Sequence, residues 1–207
     1  MNTTGLRILE ITDINDDLLL PWLDLYEVSF PPEEKVLVSM HLNAIKKKAN
    51  GQATDIHFLA CVDPSGRLAA CICYDINREH AVLHVQYLAV LQEMQCMGIG
   101  SICYDEICKR AREEGLSSII LELEIPEHAK STNESSLAMR RICFYRRHGA
   151  YLLKGIDYIQ NVGSHQPPMP MHIMVHPFCP MDANDAFHLA KGIFGNAISQ
   201  TGSLTLE

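Results

Sequence analysis

Gln95-Cys96-Met97-Gly98-Ile99-Gly100 follows an apolar, strand-like run and opens a helix-like one, and a turn of that make-up can hold a pyrophosphate. The first backbone N–H groups of a helix have no intrahelical acceptor and lie at the positive end of its dipole, so one anion can satisfy several of them. Gly98 and Gly100 carry no Cβ to hold a ligand off the backbone, and Gly98 can take a positive φ. Two other phosphate signatures fit less well. A dinucleotide fingerprint needs a third glycine where Cys103 stands and a tight turn where several residues separate the strand end from Gly98; Glu122, about 20 residues on, matches it only in part. A Walker-type loop is excluded, because no Gly-Lys-Ser/Thr is present.

Four other side chains have the right types for proton chemistry. Glu122 and Glu124 are two apart in a strand-like run, so both face one side, opposite Leu121 and Leu123. Either can accept a proton or bind a positive charge. His84 titrates near pH 6.5 when unperturbed, so it can act as a base at neutral pH, or it is simply a histidine on a sheet surface. Tyr145 shares a helix face with Ala138, Ile142 and Gly149, which also suits packing. Cys96 lies in the turn, but a thiol nucleophile needs a base partner that the sequence does not reveal, so it reads as a spectator.

The elements that must position these residues follow from periodicity and punctuation. Leu6 to Thr12 reads as a strand, Pro21 to about Ser29 as a helix ended by Phe30-Pro31-Pro32, and Glu33 to Lys48 as a second helix with its charges matched to the dipole. Ile56 to Val62 and Leu68 to Tyr74 flank Asp63-Pro64-Ser65-Gly66 as a hairpin, and Ala81 to Val90 completes an antiparallel meander that delivers the chain to the turn. A helix from Gly98 to Glu114 and a strand from Ser117 to Ile125 then form a βαβ unit. Ser131-Thr132-Asn133-Glu134 fits a capping box for a helix that stops at Gly149. Tyr151 to Ile159 and Met171 to His176 are the last expected strands. Asp182 to Ser199 reads as a terminal helix whose Phe187, Leu189, Ile193 and Phe194 form an apolar stripe. The fold class is therefore α/β (α+β), with a central mixed, mostly antiparallel sheet flanked by helices, organised as one domain over residues 1–179 and a helical extension over 180–207.

Composition sets the outer bounds. Acidic residues outnumber basic ones, 25 to 17, with no long basic run, so the electrostatic footprint of a nucleic-acid binder is missing. The eight cysteines show no CxxC or Cys/His spacing suited to zinc and read as reduced, packed thiols, so no metal is expected. There is no signal-like N-terminus and no apolar run approaching about 18 residues, so the expectation is a soluble cytoplasmic protein with no membrane partner.

The order of these features resembles the GNAT superfamily of N-acyltransferases, which transfer an acyl group from acyl-coenzyme A to an amine. Gln95-x-x-Gly98-x-Gly100 is similar to its (Gln/Arg)-x-x-Gly-x-(Gly/Ala) motif. Val85-Gln86-Tyr87-Leu88-Ala89-Val90 resembles the strand before it, and Leu121-Glu122-Leu123-Glu124 the strand after the helix. Phe144-Tyr145-Arg146-Arg147-His148-Gly149-Ala150 resembles the Phe-Tyr-x-x-x-Gly-Phe helix end, with Ala150 in place of the usual aromatic. Ala138 stands where many relatives have an asparagine that touches the pantetheine arm.

The resemblance implies acetyl-CoA as co-substrate, held between the Ala81 to Val90 and Ser117 to Ile125 strands. The N–H groups of Leu88 and Val90 would take the pantetheine arm and those of Cys96, Met97, Gly98, Ile99, Gly100 and Ser101 the pyrophosphate, with Ala89 and Gln95 also among the cofactor-binding residues. Tyr145 is then the general acid for the coenzyme A sulfur. His84 falls six residues before Val90, where histone acetyltransferases of the family carry a glutamate base; Glu122 and Glu124 are the other candidates. A base is wanted because holding a lysine-like amine neutral at pH 7 costs about 4 to 5 kcal/mol. The implied acceptor is a primary amine of a small molecule or peptide. The alternatives are an acyl-CoA sensor without turnover and an interaction module that docks a partner, or a second copy as a homodimer, on the terminal helix.

Overall fold

Asp63-Pro64-Ser65-Gly66 turns the chain because the Asp63 carboxylate accepts from Ser65 N (2.8 Å), Ser65 Oγ (2.6 Å) and Arg67 N (3.0 Å). The computed structural model describes residues 5–163 and 165–207. Those residues fall into two compact units, one taking in the chain to Ile76 and then Val85–Arg110, the other Asn77–His84 and Ala111–Glu207.

In the first unit β1 (Arg7–Glu10), α1 (Leu19–Ser29) and α2 (Val38–Ala49) precede β2 (Ile56–Val62), β3 (Leu68–Asn77, as far as Ile76) and β4 (Val82–Val90, from Val85 on), with strands in the order β1-β2-β3-β4. β1 and β3 both pair antiparallel with β2. Trp22, Leu25, Tyr26 and Ile45 of the helices share one core with Phe58, Ala60, Cys71 and Tyr87 of the strands. The polar ends of its aromatics are satisfied: Trp22 Nε1 donates to the Leu59 carbonyl (3.0 Å) and Tyr26 Oη to that of Val36 (2.8 Å).

The second helix begins later than its acidic start predicts. Pro32–Glu34 form a single 3₁₀ turn, and the α-helix starts at Val38. Tyr87 explains the break, since its hydroxyl donates to the Glu34 carbonyl (2.9 Å) and accepts from Val36 N (3.1 Å), taking up the backbone groups a helix would use.

After α3 (Ile99–Glu113), the second unit holds β5 (Ser118–Glu124), α4 (Thr132–Arg147), β6 (Tyr151–Gln160), β7 (Met169–Pro177), α5 (Ala183–Phe194) and β8 (Ile198–Leu206). Its strands run β5-β7-β6-β8, each pair antiparallel. The fold is thus mixed α/β, with mostly antiparallel strands flanked by helices, as expected. Ser131 caps α4 by accepting from Glu134 N (3.2 Å), while the Glu134 carboxylate reaches Lys130 N (2.8 Å) instead of closing the box on Ser131.

The terminal segment is not helical to Ser199. α5 stops at Phe194, before Gly195 (φ 56°), and the chain returns as β8 on the open side of β6. Gly155 of β6 admits it, since a Cβ there would lie 2.3 Å from the Ser203 carbonyl oxygen, and φ is +80°. The polar composition of Ser199–Ser203 hid this strand: four of its five residues are Ser, Gln, Thr and Ser, and all lie on an exposed edge.

Candidate active site

The Gln95–Gly100 turn has the geometry an anion needs. Gln95 Nε2 braces it from outside by donating to the Val90 carbonyl (3.2 Å). Cys96 (φ 61°) and Gly98 (φ 83°) both adopt the left-handed region, and α3 follows at Ile99. A Cβ on Gly98 would meet nothing within 4 Å, so glycine is required by the backbone angle and the space above it is open. The first α-helical bond runs from Ile102 N to the Gly98 carbonyl (3.1 Å), so the N–H groups of Ile99, Gly100 and Ser101 precede the helix's own ladder. Met97, Gly100 and Ser101 are half-buried, Ile99 turns its side chain inward, and Leu88, Ala89 and Val90 are half-buried at the end of β4. Turn and strand end both belong to the first unit.

In the second unit His84 and Glu122 meet. His84 Nε2 lies 3.0 Å from Glu122 Oε2, with side chains only 14% and 10% exposed. The other carboxylate oxygen accepts from the hydroxyl of Tyr158 on β6. Burial pushes the Glu122 carboxyl upward, yet the hydrogen bond and charge of His84, with the bond from Tyr158, outweigh it and hold the group below its ordinary value. An ionised carboxylate only accepts, so His84 must carry its hydrogen on Nε2. In the neutral ring the lone pair is therefore on Nδ1, the nitrogen that would take a proton.

Glu124 goes elsewhere. Its carboxylate pairs with the Arg141 guanidinium of α4, and Arg141 lies one helical turn before Tyr145. Tyr145 is buried, and burial pushes its phenol up to about 12, against the pull of Arg141 and with the push of Glu124. A phenol at that value is a proton donor at neutral pH. The two glutamates expected to act on one face thus serve two different groups. Tyr158 escaped the sequence reading, and Phe194 was visible only as part of the apolar stripe of the terminal helix. Only burial of Tyr158 in a strand, which obliges its hydroxyl to find a partner, could have hinted at the first.

A protein-family model described as acetyltransferase (GNAT) family matches residues 19–149, more than half of the chain. Among curated proteins none matches at a significant level. Among solved structures, a protein of the GNAT family from Bacteroides thetaiotaomicron is 24% identical, covers 91% of this chain and 98% of its own, and superposes with a TM-score of 0.70. An acetyltransferase from Bacillus subtilis in complex with CoA is 14% identical over 84% of this chain and 100% of its own, with a TM-score of 0.56. A GNAT family acetyltransferase from Elizabethkingia anophelis with acetyl-CoA bound is 11% identical over 84% and 99%, also at 0.56. At these identities the likeness is one of fold.

Proposed function

The chain belongs to the GNAT family of acetyltransferases, and we propose that it moves an acetyl group from acetyl-CoA to a primary amine of a small molecule or peptide, by direct attack in a ternary complex. The observation that carries the mechanism is the His84–Glu122 pair, a half-buried imidazole whose tautomer is set by an ionised carboxylate. Acetyl-CoA supplies an activated thioester. The residues of this chain bind it and move protons around it.

The left-handed Cys96 and Gly98, the open space above Gly98 and the start of α3 support a pyrophosphate held by backbone N–H groups of Cys96, Met97, Gly98, Ile99, Gly100 and Ser101, with Gln95 bracing the turn. Leu88, Ala89 and Val90 hold the pantetheine arm as an added strand would be held. His84 Nδ1 takes the amine proton as the N–C bond forms, with Glu122 stabilising the imidazolium. Tyr145 gives its proton to the sulfur as the C–S bond breaks, and solvent restores it. Glu124 steers that phenol through Arg141 instead of acting as a base.

Titration calorimetry with acetyl-CoA tests the donor, and release of free thiol across a panel of primary amines tests the reaction. Saturable binding with amine-dependent thiol release is expected. Absence of acetyl-CoA binding overturns the reading, and binding without thiol release for any amine replaces the enzyme by a sensor.

A further inference from the structure

The family match ends at residue 149, yet the groups packed around the His84–Glu122 pair come from beyond it. Tyr158 of β6 donates to the carboxylate oxygen that His84 does not use. Phe194, the last residue of α5, lies edge-on to the His84 ring with centroids 5.6 Å apart, and against Tyr158 at 4.7 Å. Phe194 therefore touches both ring-bearing members of the network. α5 is itself fixed: Ala186 and Ala190 are fully buried in a core with Val82, Ile120, Leu153 and Ile173, and Lys191 Nζ donates to the Ile198 carbonyl (2.8 Å) where β8 begins.

We infer that Tyr158 and Phe194 are positioning residues for the base: Tyr158 locks the Glu122 carboxylate so that one oxygen always faces His84 Nε2, and Phe194 wedges the imidazole in place. This inference rests on His84 serving as the base. A carboxylate free to rotate would offer either oxygen to the imidazole or turn away from it. With Oε1 occupied by a phenol and Oε2 by Nε2–H, the rotation is closed from both ends. The terminal segment α5–β8 then belongs to the construction of the site. Among the described residues, the titratable Tyr158 of β6 faces Glu122 and the neutral Phe194 of α5 faces His84, while His80 lies against Gly192 of α5.

Histidine-resolved NMR of the whole chain, without acetyl-CoA, tests the inference. The wild type should show neutral His84 as the Nε2–H tautomer. Tyr158→Phe keeps the ring and removes only the hydroxyl; it should mix the tautomers and move the His84 titration midpoint up by about one pH unit, because the carboxylate loses a competing donor. Phe194→Leu should mix the tautomers with a smaller displacement of the midpoint, and Phe194→Tyr, which keeps the ring, should restore the wild-type signature. If Tyr158→Phe leaves both tautomer and midpoint unchanged in a folded protein, the positioning role is overturned. If the signature shifts as described but His84→Ala does not slow thiol release, the network stands and the base assignment falls.

Discussion

Glu122 and Glu124 are two residues apart on one strand, share a sequence context and differ in every consequence. Glu122 is enclosed by an imidazole and a phenol, and both bonds favour its charged form against the cost of burial. Glu124 faces Arg141, whose side chain is 42% exposed, and together they form an ion pair screened by water. A carboxylate coupled to a titratable partner can help that partner exchange a proton. One coupled to a guanidinium cannot, because the guanidinium stays charged throughout. Glu10 shows the third case. It contacts His57 (2.8 Å) much as Glu122 contacts His84, yet it also binds Lys48 and Arg110, so two permanent cations fix its charge and the histidine is one partner among three.

The largest effect that could break this contrast comes from His84 itself. His84→Ala should lower kcat/KM for an amine acceptor by about 10²- to 10⁴-fold at neutral pH, with part of the loss regained at high pH where the amine deprotonates unaided. His57→Ala, which removes the look-alike histidine, should leave the rate unchanged. Tyr145→Phe comes next: kcat should fall by about 10- to 100-fold while calorimetric affinity for acetyl-CoA holds, since only the proton donor is lost.

The Glu10 network is tested by acid instead of by rate. Burial raises the Glu10 carboxyl, but His57 and Lys48 pull it down to about 2 from 4.5. A folded-state value below the unfolded one gives stability that is complete above about pH 5 and is lost as pH falls through 2. Wild type should therefore lose up to about 3 kcal/mol relative to Glu10→Gln across that window, measured by urea unfolding at a series of pH values. The smallest effect is that of Glu124→Gln, which should cost less than about 1 kcal/mol in the same assay, as partly exposed pairs do.

The sequence made the scaffold legible wherever local chemistry decides structure. The Asp63–Gly66 turn, the Ser131 cap and the apolar run of β2 each report on their own neighbours, and the positive φ at Gly98 followed from its place before a helix. It failed where a distant side chain overrides a local preference. Glu33 and Glu34 look like a helix start, and Tyr87, some fifty residues away in sequence, takes up backbone groups that would continue it. β8 is too polar to announce itself, because as an edge strand it buries little, and its place depends on a glycine in β6. The site followed the same rule. His84, Glu122, Glu124 and Tyr145 were visible as types at suggestive spacings, whereas the partition of the two glutamates between His84 and Arg141 is a tertiary fact that a period of two cannot carry. Tyr158, without a motif of its own, was invisible, and Phe194 was legible only as one of the apolar stripe of the terminal helix, not as a neighbour of His84.

The pH dependence of thiol release from acetyl-CoA, measured with one reactive primary amine for wild type, Glu122→Gln and Glu124→Gln, tests this partition most directly. The account predicts that Glu122→Gln loses about 10- to 100-fold in kcat/KM and that its acidic limb moves to lower pH, because an imidazolium without its carboxylate gives up its proton more easily. Glu124→Gln should retain the wild-type acidic limb and stay within about threefold of the wild-type rate. Equal losses in the two variants, or an acidic limb that moves in Glu124→Gln and not in Glu122→Gln, would contradict it.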